Sequence, residues 1–488
     1  MTAVMPQIKK IVWLTLENRS LDSVLGWLYE KHVLSPDQVY PRKSSLRFDG
    51  ITAADQNWVD VFDYAPAHGT HLLDQPLRQP RWNPGEWWEN VGNQMYWDRW
   101  GYDSVPRWSA ATPPMTGFAR DYSRLYDATG EVMGAYTKHQ LPALYALAEA
   151  YAVSDRWFSS VPTETNPNRA FSVCGTSLGA VDNADITYYD APTVFNALTQ
   201  AGKSWGIYYQ YNGRWDMDPT PNGQCYTADI FPYIRKALDN HQGVCHHYDV
   251  FLKALQTKSP ELPDLCYIEP FWGGGYGLPW GDDFVGLQGN DYHSPAWVST
   301  AEYDLKVLYE AVRNSPYWKD MLFIITFDEH GGTYDHVAPT AALKPDDSTS
   351  ARPFEFNWLG ARVPTILVSP YVRPGTVFRA PTGSTYDFDH TSFIATILLW
   401  AGLDPATAGL GLRVAKAPTF EGVLGNTWYD DSPQLPVPPW YKDYGGPKGE
   451  HNIPFDIEGL DIQTFRTVLD VSTSAIEFLE RLRAVVSE

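Results

Sequence analysis

A chain of 488 residues with 37 basic and 58 acidic side chains carries a net charge of −21. That balance argues against a nucleic-acid partner gripped through phosphate contacts, and against adhesion to anionic membrane through a generally basic surface. With 44% hydrophobic residues, 19% charged residues and 20 tryptophans, the composition is globular rather than disordered or fibrous. Cys174, Cys225, Cys245 and Cys266 lack CxxC spacing and are too few for a disulfide scaffold, although one or two bridges fit the count.

From Met1 the chain moves into its first strand with no charged leader, short apolar stretch and small-residue cleavage site. No run approaches the roughly 18 apolar residues that a membrane helix needs. The expectation is a soluble chain with no transmembrane segment, cytoplasmic as it stands, already processed, or exported without a cleaved leader.

The stretch Ile11–Gly26, IVWLTLENRSLDSVLG, begins as an apolar run of strand length. It stops at Glu17-Asn18 and passes Arg19-Ser20 into a helical pattern, setting two oxygen ligands at a strand's carboxyl end, where open α/β sheets keep their chemistry. Residues 40–120 follow, rich in Trp, Pro, Gly and Asp, with no period of 2 or 3.6. We read them as an aromatic-pinned insertion covering one end of the sheet, with a substrate lid as the alternative. LPALYALAEAY, Leu141–Tyr151, is an amphipathic helix that leads through Ala152–Phe158 into the turn-rich SSVPTETNPNR.

Residues 203–211 read as a strand, Asn212–Gln242 as a polar insertion and Leu262–Glu269 as a short strand before Gly273-Gly274-Gly275. Helical periodicity returns at Ala301–Arg313. MLFIITF, Met321–Phe327, is the uninterrupted apolar run of a central parallel strand, followed by a strand at Val363–Val368 and a helix at His390–Trp400. The alternation predicts an α/β fold with a mainly parallel central sheet flanked by helices. A main domain over residues 1–433 and a Pro- and Gly-rich C-terminal appendage over 434–488, ending in a helix at Ile476–Val486, complete the expectation.

Three constellations carry chemistry. Asp328-Glu329-His330-Gly331-Gly332 stands directly behind Met321–Phe327 and repeats the opening arrangement. If the two strands are neighbours, Glu17, Asn18, Asp328 and Glu329 converge, and carboxylates crowded in one crevice call for a cation or raised pKa values. A divalent metal ion is the economical answer. Oxygen ligands suit Mg²⁺, Ca²⁺ or Mn²⁺, and nearby histidines favour Zn²⁺. The second constellation, Pro162-Thr163-Glu164-Thr165-Asn166-Pro167-Asn168-Arg169, holds a hydroxyl in a Pro-bounded turn beside an arginine. A phosphoryl-transfer site needs that pairing; the alternative is a hydrogen-bonded turn capping the next helix. The third is a set of histidines in polar loops and at helix starts: His293, His390, His330, His336 and His246-His247.

IKKIVWLTLENRSLDSVLGWL resembles the E-N-R-S-F-D motif of the non-haemolytic phospholipase C and acid phosphatase family, a branch with an alkaline-phosphatase-like α/β core. The resemblance continues in order through LPALYALAEAYAVSDRWFSSVPTETNPNRAF, HHYDVFLKAL, LPDLCYIEP, NDYHSP, LFIITFDEHGGTYDHVAP, RVPTILVSPYVRPGTV and YDFDHTSFIATI, over about residues 8–402. It implies a metal site at Glu17, Asn18, Thr165, Asp328 and Glu329, with Zn²⁺ first among the ions. Thr165 is the nucleophile. It also implies histidines near the substrate phosphate at His293, His390 and His247, and a loop histidine at His68, with His71 competing. Arg169 and His330 join the expected substrate-binding set. The implied activity is metal-dependent hydrolysis of a phosphatidylcholine-type phospholipid to diacylglycerol and a phosphorylated headgroup through a phospho-threonine. Acid phosphatase action on monoesters is the runner-up, and a non-catalytic lipid- or metal-binding module the third reading. Leu21 stands for the family's Phe, Ser23 for a frequent His, Thr163-Glu164 for Gly-Pro or Ala-Ser, Tyr292 for Asp and Ser294 for Pro. The segment 80–110 and the tail after about 434 have no counterpart.

Overall fold

Two apolar runs more than 300 residues apart in sequence form the middle of a nine-stranded sheet in the computed structural model. The structure describes residues 4–438 except 30–32, 60–63, 67, 70–79, 81, 98–111, 126–129, 211–224, 273–276, 281–282, 287–288 and 430–431. The expected helix at Ile476–Val486, most of the appendage, His71 and Gly273-Gly274-Gly275 lie outside the described residues.

The strands are β1 (Lys10–Leu16), β2 (Val39–Tyr40), β3 (Ala152–Ser154), β4 (Trp205–Tyr209), β5 (Val244–His247), β6 (Leu265–Glu269), β7 (Met321–Phe327), β8 (Thr365–Val368) and β9 (Thr376–Phe378). Their spatial order is β2-β9-β3-β8-β7-β1-β6-β4-β5. All run parallel except β8, which is antiparallel to both β7 and β3. β1 and β7 pair in register from Lys10↔Met321 to Leu16↔Phe327. Every residue of β7 is buried, as its unbroken apolar run requires of a strand covered on both faces. The reversed β8 has a topological cause. The chain between β7 and β8 forms no crossover helix and stays at the carboxyl edge through Arg362, so the next strand must start there and run back.

Helices α1 (Leu21–Leu25), α2 (Trp88–Tyr96), α3 (Phe118–Leu125), α4 (Pro142–Ala150), α5 (Thr165–Cys174), α6 (Val298–Arg313) and α7 (Thr391–Trp400) matter most to the site. Leu141, the residue before α4, has no capping side chain, and Glu302 of α6 supplies the cap instead. Its carboxylate accepts from the Ala143 and Leu144 amides at 2.6 and 3.1 Å and from the Tyr292 hydroxyl at 2.6 Å.

The insertion departs from expectation. Within residues 40–120 the chain forms α2, the start of α3 and the hairpin Gln56–Trp58/Tyr64–Pro66, around a second core of Ile51, Val91, Met95, Phe118, Tyr122 and Tyr334. Helices of eight or nine residues, interrupted by tryptophan-rich flanks, are too short to impose a visible period. The polar insertion 212–242 likewise contains helices Tyr226–Ile230 and Pro232–Asp239, whose Ile230, Ile234 and Ala237 are buried.

Candidate active site

Because β1 and β7 are paired to their last residues, Glu17-Asn18 and Asp328-Glu329 leave the sheet side by side. The Asp328 amide donates to the Leu16 carbonyl at 3.1 Å. Asn18 turns with φ +60°, a left-handed conformation that asparagine tolerates. Gly331 and Gly332 (φ +60° and +63°) are required where backbones meet. A Cβ on Gly331 would lie 2.2 Å from the Asn18 carbonyl oxygen, and one on Gly332 2.6 Å from that of Gly85. The two glycines therefore let the strand-end loops and the insertion come together.

Asp328 Oδ1 accepts from the amides of Asn18 (3.1 Å) and Glu329 (2.7 Å), and Glu329 Oε2 accepts from the Gly331 amide at 2.6 Å. The other oxygens, Asp328 Oδ2 and Glu329 Oε1, and both polar atoms of the Asn18 amide are buried without a hydrogen-bond partner among the described residues. Burial, then Glu17 nearby, pushes the Asp328 carboxyl up to about 7. Burial, then Glu86, pushes Glu329 well above its ordinary value.

Arg169 partly offsets this charge. Its Nη2 lies 2.9 Å from Glu17 Oε1 and its Nε 3.4 Å from Asp328 Oδ2, with Trp272 stacked 4.2 Å from its guanidinium carbon. Burial opposes the Arg169 cation, but Glu17 and Asp328 hold it firmly protonated. Burial opposes ionisation of Glu17 too, and Arg169 and His293 bring its pKa below the ordinary value. Thr165 is the first residue of α5, one turn before Arg169 and so on the same helix face. Asn168 pins this turn: its side chain donates to the carbonyls of Val161, Thr163 and Glu164 and accepts from the Val161 amide. The turn is thus a hydrogen-bonded helix start as well as the seat of the hydroxyl. Glu164 is turned away onto the Asn183 amide at 2.6 Å, and burial raises its pKa to about 7.

His293 lies between two carboxylates, Nδ1 2.9 Å from Glu17 Oε2 and Nε2 3.2 Å from Glu86 Oε1. Burial disfavours its charge, but Glu86 and Glu17 raise its pKa well above the usual histidine value. Glu86 comes from the insertion and was missed in sequence, having no motif. Gln94 of α2 was missed too. Its side chain accepts from His330 Nε2 at 2.8 Å and donates to the Gly85 carbonyl and to Asp121. Asp291 was visible in NDYHSP but not assigned. Its carbonyl accepts from the Glu17 amide, and its carboxylate from the His293 amide at 3.1 Å.

Several expected site residues have other tasks. His390, expected near the substrate phosphate, is enclosed. Its Nε2 donates to the Asp328 carbonyl at 2.5 Å, its Nδ1 faces Trp157 Nε1 at 3.5 Å and its ring stacks on Phe393. Burial lowers its pKa to about 4, so it is a neutral histidine that positions Asp328, with no ring nitrogen left for a substrate. His330 is equally buried, lowered to about 3, and links Gln94 to the Glu329 loop. His247 is not brought to the site. It ends edge strand β5, separated from β1 by β4 and β6, and pairs with Asp249. His68 contributes backbone to a short parallel pairing with Gly134, two residues before Tyr136, whose ring packs on Arg19.

Among the described residues, two groups of side chains have the spacing for a cation: Glu17, Asp291 and His293, and separately Asp22, Asp335 and His336. In the first, both oxygens of Glu17 are already engaged by Arg169 and His293. In the second, the Arg362 guanidinium already sits on Asp22 and Asp335 at 2.9 Å. The unsatisfied oxygens instead belong to Asn18, Asp328 and Glu329 beside Glu17, a cradle of hard donors that fits a divalent metal ion.

The model of the Phosphoesterase family matches residues 8–403, and the chain belongs to that family. It is accordingly a phosphoric ester hydrolase. It is 32% identical over 441 residues to Non-specific phospholipase C4 of Arabidopsis thaliana, covering 88% of this chain and 73% of that protein. It is 24% identical to Hemolytic phospholipase C of Pseudomonas aeruginosa, covering 80% of this chain and 52% of that one. The solved phosphonate monoester hydrolase of Silicibacter pomeroyi aligns with 61% of this chain and 74% of its own at 12% identity and a TM-score of 0.34.

Proposed function

We propose that the protein is a metal-dependent phospholipase C acting on phosphatidylcholine-type phospholipids, with Thr165 as nucleophile. The observation that carries the reading is the row of unsatisfied buried oxygens on Asn18, Asp328 and Glu329, facing a helix that begins with Thr165 and carries Arg169 one turn later. Phospholipase C relatives support the substrate class.

Asn18, Asp328, Glu329 and Thr165 would hold the ion, joined by Glu17 through the lone pairs that Arg169 and His293 leave free. Zn²⁺ is the one the family resemblance implies, while the oxygen donor set also suits Ca²⁺, Mn²⁺ or Mg²⁺. A bound dication supplies a lowered hydroxyl pKa and charge stabilisation on the phosphoryl oxygens. Arg169 orients a phosphoryl oxygen, and Thr165 Oγ1, its proton released to solvent, attacks phosphorus as the bond to the glycerol oxygen breaks. His293 gives the leaving oxygen a proton from Nε2, the nitrogen that Glu86 covers in this structure. Water then cleaves the phospho-threonine, releasing the phosphorylated headgroup and restoring the hydroxyl. His390 serves by fixing the Asp328 backbone.

The test joins metal analysis of the purified protein to a panel of phospholipids and phosphomonoesters, with and without chelator. Diacylglycerol and phosphocholine as products, lost on chelation and at least about 10³-fold reduced in Thr165→Ala, are expected. Free phosphate from simple monoesters with no lipid turnover would replace this reading with the phosphatase. Undiminished hydrolysis by Thr165→Ala would remove the nucleophile.

A further inference from the structure

In a chain carrying −21 overall, the segment PRKSSLR at 41–47 holds Arg42, Lys43 and Arg47 and no carboxylate. All three cations are exposed, and none forms an ion pair with a described residue. The nearest acids in sequence are already engaged, Asp37 by Arg373 at 3.2 Å and Asp49 by Arg156 at 3.6 Å and His336 at 3.4 Å. Two aliphatic side chains accompany the cations. Leu46 is 44% exposed and Val33 74%, and a Val33↔Arg47 bridge with a 2.8 Å bond from the Leu34 amide to the Leu46 carbonyl holds them together.

The segment leaves the carboxyl end of β2, the same edge of the sheet at which β1 and β7 release Glu17 and Asp328. Five strand spacings of ~4.8 Å put it about 24 Å from β1. A cavity of about 760 Å³ opens beside it, lined by Ser44, Ser45, Arg47 and Tyr386 and by the carboxylates of Asp49 and Asp387, both paired with Arg156. Arg156 and Arg379 in its wall are bound to Asp387 and Asp155, so Arg47 is the cation left to face a ligand there.

We propose that this corner docks the protein on an anionic lipid surface. Leu46 and Val33 enter the interface, while Arg42, Lys43 and Arg47 meet phosphate-bearing headgroups, one of which the cavity has room to receive. The remaining negative charge does not prevent this, because at physiological salt charges more than about 8 Å from the contact are screened. The site and the corner share one edge, so docking turns the catalytic end toward an aggregated substrate, a purpose that rests on the phospholipase reading above.

The experiment is flotation of the full chain with vesicles of about 30% phosphatidylserine in phosphatidylcholine, compared with pure phosphatidylcholine vesicles. Hydrolysis of a dispersed short-chain phospholipid is measured in parallel. At about fivefold per charge, R42Q/K43Q/R47Q weakens anionic-vesicle binding about a hundredfold. Leu46→Ser weakens it severalfold, and Leu412→Ser, an exposed aliphatic elsewhere, leaves it unchanged. Thermal midpoints and turnover of the dispersed substrate stay at wild-type values. The proposal is overturned if the triple variant binds as tightly as wild type, or if wild type binds both vesicles equally. It is also overturned if the cations retain a soluble inositol phosphate but no vesicle. If no phospholipid is hydrolysed in any form, the phospholipase reading fails while the binding result still decides the docking.

Discussion

Arg169 is the cation that allows Glu17 and Asp328 to sit in one dry crevice. Removing it strands two buried carboxylates, so Arg169→Met destabilises the metal-free protein by about 3–5 kcal/mol. A bound dication would take over the missing charge, so the metal-loaded variant should lose clearly less by urea unfolding. Equal losses in both forms would refute that shared role. His336 gives a prediction in pH. Burial opposes its charge, but Asp22 and Asp49 raise its pKa from 6.5 to about 10. The folded protein keeps a proton the unfolded chain gives up, so this stabilisation is complete below pH 6.5 and vanishes as pH rises through about 10. Unfolding free energies measured from pH 6 to 10 should fall more steeply in wild type than in His336→Asn, and parallel slopes would count against it. Among residues, Glu17, Asn18, Asp328 and Glu329 were legible because each follows an apolar run. Glu86 and Gln94 were not, since their partners His293 and His330 are more than 200 positions away. The hydrogen-bond partner of His390 was not legible either, because a histidine at a helix start looks the same whether its ring faces substrate or a carbonyl.

At the scale of elements, the two strand-end loops close only because Gly331 brings no Cβ. Gly331→Ala combines the left-handed penalty with a clash on the Asn18 carbonyl, for about 2–5 kcal/mol. Gly402 also has positive φ, but a Cβ there meets nothing within 4 Å, so Gly402→Ala should lose only about 1–2 kcal/mol. Denaturation midpoints of the pair check the difference, and Gly331→Ala should also purify with less metal. β7 could be read to the residue because both of its faces are covered and all of its residues but Thr326 are apolar. The helices of the insertion could not, because two or three turns broken by tryptophans leave no periodic trace. Nor could the direction of β8, which depends on the path of the preceding loop and not on its own residues.

For the molecule as a whole, family and mainly parallel sheet were open to sequence reading because the resembling blocks span the region in which the sheet is built. The docking of the insertion onto the catalytic edge was not, because it rests on contacts such as Glu86–His293 that no local pattern encodes. The placement of β1 also bears on how the chain is made. Its two neighbours are residues 265–269 and 321–327, so once β1 has left the ribosome it must wait for partners some 250–310 residues later. At about 5–20 residues per second that delay is roughly 15–60 s, during which KIVWLTL is an unpaired aliphatic strand. Synthesis without a holding chaperone should therefore yield aggregate in proportion to that delay.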